Sequence, residues 1–405
     1  ERERERERAR ARERERESER ERERESVQTS GGSHQGRFLA HSSRQSHLGG
    51  RERELIALPG RHAGLGIPNP CMLNAPSHRR SIELTLPLVQ KILDQDLDLE
   101  PADLRKLQNK TRSKQKADAE EEHKKTLKDL QDNAISAHFK RVIQNASEKG
   151  ASSWVTAIPL YEHSTVLHKG DFRDAMCLRY GWDLEGLPGY CGCGHEFDVQ
   201  HAMQCMYGGF RGLLHNEVVH VYKHAFKEAG YKVVWREPEL QALTGEKFEY
   251  KSANMEDEAR SDLSVLGFWT RMRRAFFDVT AFSPYARSYL DKTHSALYIS
   301  AEKRKCREYR ERILQVEHGD FSPLVFATTG GMGPQATAVT ARLGHRLAEV
   351  KNLPFSVVMG WLRCRISFAL LRSTLVCLRG SRPFRPKIDN NPIDLAVCET
   401  KIFLD

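Results

Sequence analysis

Between Ala259 and Phe282 the apolar residues run almost unbroken on either side of a basic turn: RSDLSVLGF, then WTRMRR, then AFFDVTAF. β-branched and aromatic residues in runs of this length favour a pleated, mostly buried surface, so the stretch reads as two buried strands. From Ala301 the spacing of AEKRKCREYRERI becomes helical. The pattern predicts, in order, a helix over Arg211–Gly230, a strand over Tyr231–Arg236, strands carrying Asp262 and Asp278, a helix over Ser300–Glu317 and a strand over Pro323–Thr328. That is an α-β-β-β-α-β unit, an α/β (α+β) fold class, with polar Thr244–Glu258 as a loop. Gly330, Gly331 and Gly333 then make a tight strand-to-helix turn; no Lys-Ser or Lys-Thr follows, so they are not a phosphate loop. Helices over Gln335–Lys351 and Phe355–Leu378 close the pattern.

Upstream the period is helical throughout. Ser81–Gln95 has apolar residues at helical spacing, and Asp103–Ile143 is one long charged helix. It is expected to be a solvated link between domains, with a coiled-coil or RNA-binding arm as the alternative. Ser152–Tyr180 reads as a turn and an amphipathic helix whose Trp154, Leu160, Phe172 and Leu178 are core; His163, His168 and Lys169 are either surface residues or nucleic-acid contacts. LPGRHAGLGIPNP, near Leu55, is a turn-rich loop. Glu1–Ser26 alternates Glu and Arg with almost nothing to bury, which predicts disorder or a frayed salt-bridged helix. That run, and a first residue that is not Met, suggest translated simple-repeat DNA or a truncated gene model. The chain therefore divides into a low-complexity segment (1–54), a linker with charged helices (55–150), a helical segment with a cysteine cluster (151–210), the α-β-β-β-α-β core (211–334), C-terminal helices (335–380) and a basic tail (381–405).

Charge adds a partner. Across 405 residues the formal charge is +9 with 39% hydrophobic content, the composition of a soluble intracellular protein that meets an anion. The Glu/Arg run is nearly balanced, so the excess lies downstream. The tail RGSRPFRPK and the turn Arg271–Arg274 suit backbone phosphates. The most apolar run, Pro354 to Leu378, is broken by Arg363, Arg365 and Arg372 and reads as a packed helix, not a span.

Two clusters carry candidate chemistry. In YCGCGHEFDVQHAMQC, Cys191 and Cys193 sit on a Gly-rich knuckle while His201 and Cys205 fall one helical turn apart on one face. Four ligands of the Cys3His type close a structural zinc site; His195 is a substitute ligand, and a free-thiol loop is the alternative. Nine cysteines so scattered do not make a disulfide scaffold. The second cluster is Asp262 and Asp278. A carboxylate among strand residues must be paired or bind a metal, and Mg2+ prefers such oxygen ligands. Lys305 and Tyr309, one turn apart on the next helix, add a cation and a phenol. Two carboxylates and a lysine on a small sheet are the inventory of a metal-dependent phosphodiesterase. The alternative is that the acids are salt-bridged to neighbours such as Arg260.

This order of elements resembles the restriction-endonuclease-like PD-(D/E)XK core, with one acid on the second strand and the next on the third. The third-strand motif there is an acid, any residue, then Lys; here it is Asp278-Val279-Thr280. Members with this pattern often recruit the lysine from the following helix, where Lys305 lies. The first helix of that core sometimes supplies a third acid, which the resemblance places at Glu217, near the start of the Arg211 helix beside His215 and Asn216; the alternative is a solvated helix glutamate, and Glu237 and Glu239 compete for the role. The knuckle, RSDL, FFDVTAF and the Lys305/Tyr309 helix together resemble the C-terminal region of non-LTR retrotransposon proteins, in which a reverse transcriptase is followed by a zinc knuckle and then this nuclease. The resemblance covers roughly Leu55 to Arg382, and LPGRHAGLGIPNP is similar to the segment after the polymerase thumb. It implies a DNA-nicking endonuclease with catalytic Mg2+ at Asp262 and Asp278, structural Zn2+, DNA and retroelement RNA as partners, and a nuclear location. No Tyr-x-Asp-Asp motif is present, so no polymerase activity is expected. The competing expectation is a catalytically inactive, zinc-containing nucleic-acid-binding remnant.

Overall fold

A computed structural model describes residues 49–95, 101–289 and 291–381. The whole Glu/Arg run, with the expectation of disorder or a frayed helix made for it, and all but the first residue of the 381–405 tail lie outside them. Within them the protein is mixed α/β, with 11 α-helices and one four-stranded sheet.

The sheet comprises β1 (Val234–Arg236), β2 (Leu263–Leu266), β3 (Arg274–Phe282) and β4 (Asp320–Ala327), in that spatial order. β1 and β3 flank β2 antiparallel, and β4 runs parallel to β3. A parallel neighbour requires a crossover, which the helix His294–Gln315 supplies. Alternation decides the two faces. Ala275, Phe277 and Val279 face a core built with the helices Phe210–Glu228, Pro334–Lys351 and Phe355–Arg379, while Phe276 packs with Tyr309 and Ile313 under the crossover helix. Phe226, Phe268 and Phe277 are fully buried and in mutual ring contact; each is worth about 1.5–3 kcal/mol of transfer free energy.

Numbered in chain order, the helices are α1 (Gly50–Ala57), α2 (Pro70–Leu93), α3 (Pro101–Asp132), α4 (Ala137–Ser147), α5 (Ser153–Thr156), α6 (Lys169–Tyr180), α7 (Val199–Gln204), α8 (Phe210–Glu228), α9 (His294–Gln315), α10 (Pro334–Lys351) and α11 (Phe355–Arg379). α11 is the mast of the molecule. Its first half closes the sheet core through Val358, Leu362 and Ile366. Its second half inserts Phe368, Leu371 and Leu375 into a helical core made with Leu55, Leu130, Val142, Trp154, Met176 and Tyr180. Its end meets the cysteine knuckle through Cys377 and Leu378. At 25 residues and about 1.5 Å per residue, it is long enough to serve all three. None of the helices in the described residues is long and apolar enough to cross a membrane.

Several boundaries differ from the sequence pattern. The long charged helix breaks at Asn133–Ser136, because Ser136 caps a new helix by accepting from the Phe139 N–H (3.0 Å). The fold begins inside the segment assigned to low complexity: Glu52 of α1 accepts from the Trp182 indole N–H (3.3 Å), and Arg51 pairs with Asp129 of α3. α2 starts at Pro70, not Ser81. Leu160 and Phe172 are exposed rather than core, whereas Trp154 is buried. α9 starts at His294, ahead of Ser300, with Thr293 as its cap. The glycine turn before α10 does need small residues. A Cβ on Gly331 would meet the Glu148 carboxylate at 2.0 Å, and one on Gly333 would meet Glu302 at 2.6 Å.

Candidate metal centre and acidic site

The knuckle folds by local rules. Gly194, at φ +90°, lets the chain reverse so that its N–H donates to the Cys191 carbonyl and the Cys191 N–H donates to the His195 carbonyl, both at 2.8 Å. Asp198 then caps α7 by accepting from the His201 N–H (2.6 Å). Cys205, the residue after α7, lies one turn beyond His201. The four donors Cys191, Cys193, His201 and Cys205 lie within 4.8 Å of one another. Cys205 Sγ is 3.8 Å from Cys191 Sγ and 3.7 Å from Cys193 Sγ, and His201 Nε2 is 3.3 Å from Cys193 Sγ. Thiolates about 2.3 Å from one tetrahedral ion stand roughly 3.8 Å apart. The Cys3His cluster could therefore hold a metal such as zinc. His195 lies 3.5 Å from Cys193 through Nδ1 but outside the four-donor group. The His195 backbone N–H, together with the neighbouring thiols, draws the Cys193 thiol down to about 6, whereas burial pushes Cys205 up to about 11.

The knuckle leads directly into α8. Leu214 packs in the cluster core beside Cys191 and Met203, and the next residue, His215, points to the acids. Its Nε2 is 3.1 Å from Asp262 Oδ1. Asp262 precedes β2 instead of lying in it, and its other oxygen accepts from the Val279 N–H (2.5 Å). Asp278, in the middle of β3, is buried, with Lys305 Nζ 3.3 Å from Oδ1 and 3.2 Å from Oδ2. Lys305 also reaches Glu308 (3.3 Å) and lies 5.3 Å from the centroid of the buried Tyr309 ring. Thr280, two positions after Asp278, donates weakly to Asp278 Oδ2 (3.4 Å). Burial, and then the charge of Asp262, push the Asp278 carboxyl up to about 7 against the pull of Lys305. Burial alone would depress the His215 imidazole, but the hydrogen bond and charge of Asp262 outweigh it and raise it. Tyr309 is raised, mainly by burial.

The structure thus brings Asp262, Asp278, Lys305 and Tyr309 into one neighbourhood. Glu217 stays out of it. It is exposed, and two residues from His215 it projects from another side of α8. The residue that α8 sends to the acids is His215, which the sequence shows only as one polar position among several on that helix. Glu237 pairs with Arg236 (2.9 Å) and Glu239 with Arg260 (2.5 Å), so Arg260 is not the partner of either aspartate. In the basic turn, Arg273 is spent on Asp320 and the Gly319 carbonyl, and Arg274 lies 3.9 Å over the Trp235 ring. No protein-family model matches the chain, and no curated protein matches it.

Proposed function

We propose that the chain is a metal-dependent endonuclease that nicks DNA by phosphodiester hydrolysis, on a restriction-endonuclease-like core α8-β1-β2-β3-α9-β4, and that it derives from the C-terminal region of a non-LTR retrotransposon protein. The observation that carries this reading is the convergence of Asp262 and Asp278 with a lysine from the next helix, on a sheet whose order and directions suit that core.

The donor chemistry fits a hard cation. Asp262 and Asp278 offer only carboxylate oxygens, and Asp278 is held in a pocket where a second negative charge is already costly without a cation. Both would hold Mg2+, which when bound would polarise the scissile phosphate and lower the pKa of an attacking water. The protein's own groups do the rest. Lys305 sits against Asp278, where it would neutralise charge growing on the phosphate, and the Tyr309 ring and Glu308 hold it there. His215, locked on Asp262, keeps that carboxylate aimed and offers a polar group at the half-exposed mouth of the site. The Cys3His cluster, with zinc as the metal its thiolates favour, would be structural, because four protein ligands leave no open position.

A second reading has its own support. Both Asp278 oxygens are engaged by Lys305, and both Asp262 oxygens by His215 and Val279. A closed network of this kind would also suit an inactive zinc-containing nucleic-acid-binding remnant. Nicking of supercoiled plasmid separates the two. The first reading expects Mg2+-dependent relaxation that Asp278→Asn abolishes while melting temperature and duplex affinity stay close to the parent's. DNA binding with no nicking at any Mg2+ concentration supports the second.

A further inference from the structure

We propose that the outward face of α9 is a docking surface for the phosphodiester backbone of a nucleic-acid duplex, separate from the acidic site. Lys303, Arg304, Arg307 and Arg310 are all exposed, and among the described residues none has a carboxylate within 4.0 Å. The reason lies in what the acids of the helix do. α9 has three, one buried and two half-buried, and each is occupied: Glu302 caps α10 by accepting from the Gln335 N–H (2.8 Å), Glu308 holds Lys305, and Glu311 accepts from the Glu249 N–H (2.8 Å). An ordinary solvated helix interleaves the signs so that residues three and four apart pair. Here Glu308 stands at i+4 from Arg304 and Glu311 at i+4 from Arg307, yet neither arginine pairs with its glutamate; Arg307 lies 5.8 Å from the half-exposed Tyr250 ring instead. The loop packed on α9 carries Glu246, Glu249, Glu256, Asp257 and Glu258, and none of these neutralises the four cations either.

The geometry suits a regular polyanion better than a single small anion. Lys303, Arg307 and Arg310 fall at i, i+4 and i+7, a straight stripe about 10 Å long. That length matches about three steps of one strand, at roughly 3.4 Å of axial rise each. A compact ligand would need converging cations, and these diverge along a convex surface. Lys305 lies about 200° around the helix from Lys303, so the stripe faces away from the acids. A duplex held there is not the strand entering the acidic site, and the surface would serve even if that site were inert.

The test is duplex binding measured by fluorescence anisotropy on zinc-loaded protein in buffer without added Mg2+, so that nothing is cut, with short DNA and RNA duplexes in separate arms. The triple variant Lys303→Glu/Arg307→Glu/Arg310→Glu should bind at least one of the two duplexes about tenfold or more weakly, with a log–log salt slope that on DNA is smaller by about 0.9 for each phosphate no longer neutralised. The charge-conserving triple Lys303→Arg/Arg307→Lys/Arg310→Lys should keep both affinity and slope. The arm that responds identifies the duplex. All three positions are exposed, so the melting temperature should stay near the parent's. If affinity and salt slope are unchanged in both arms, or if the charge-conserving variant weakens binding as much as the charge reversal, the face is merely solvated and the proposal is wrong. Loss of plasmid nicking with duplex affinity intact would also count against it, because it would tie the stripe to the acidic site.

Discussion

At the residue scale the acidic site is a contest between burial and charge. Asp278 is 4% exposed and shares its pocket with Asp262, and Lys305 offsets only part of that cost. Lys305→Ala should lower Mg2+-dependent nicking by on the order of 10²-fold or more, the scale for removing a preorganised charge-stabilising group; single-turnover rates measure it, and a variant as fast as its parent would remove Lys305 from the mechanism. The raised carboxyl also fixes a pH dependence. A folded pKa of about 7 against an ordinary 3.8 means that the folded state binds this proton more tightly than the unfolded one. Its stabilising contribution is therefore complete below about pH 4 and is lost as pH rises toward 7. Thermal melts of zinc-loaded protein without Mg2+ across that window should show a decline that Asp278→Asn removes. Mg2+ needs the deprotonated form, so its binding should release a proton and tighten with pH up to about 7, as calorimetry in buffers of different ionisation enthalpy would report.

At the element scale, α8 joins the two clusters. Its first turn packs Leu214 against the knuckle and sends His215 to Asp262. One zinc equivalent is expected by metal analysis. Cys205→Ser should abolish tight zinc binding and lower the melting temperature by several degrees, because a metal held there would supply folding energy to a segment with little core of its own. An unchanged melting temperature with zinc lost would make the cluster dispensable to the fold. α9 plays a similar joining part through Arg312. Fully buried, it donates to the carbonyls of Asn254 (3.0 Å), Glu256 (2.6 Å) and Gln241 (3.0 Å), fastening the loop that ends at Asp262. Arg312→Leu leaves those carbonyls without their donor and should destabilise the protein by about 3 kcal/mol. Denaturant unfolding gives the number, and a change under about 0.5 kcal/mol would mean that the loop is held by something else.

At the scale of the whole molecule, α11 ties a sheet core, a helical core and the cysteine knuckle into one body. What the sequence determined alone is whatever depends on near neighbours. The order and type of the elements from α8 to α11 follow from periods of two and 3.6. The four knuckle donors follow from a turn plus one helical step, so residues 191–205 carry their own geometry. Asp262, Asp278 and Lys305 were legible as charges embedded in, or one element from, runs that bury. Only the tertiary structure decided the partners, because a partner is chosen by where strands and helices meet. β3 and β4 became parallel neighbours across a crossover helix. Arg260 went to Glu239, leaving Asp262 to His215, 47 positions away in the chain. Glu217 and His215, two residues apart and equally polar in the sequence, were separated by the 3.6-residue helical turn once one side of α8 was committed to the sheet. On α9 the acids were taken up by α10, Lys305 and the loop at Glu249, and the cations were left facing water.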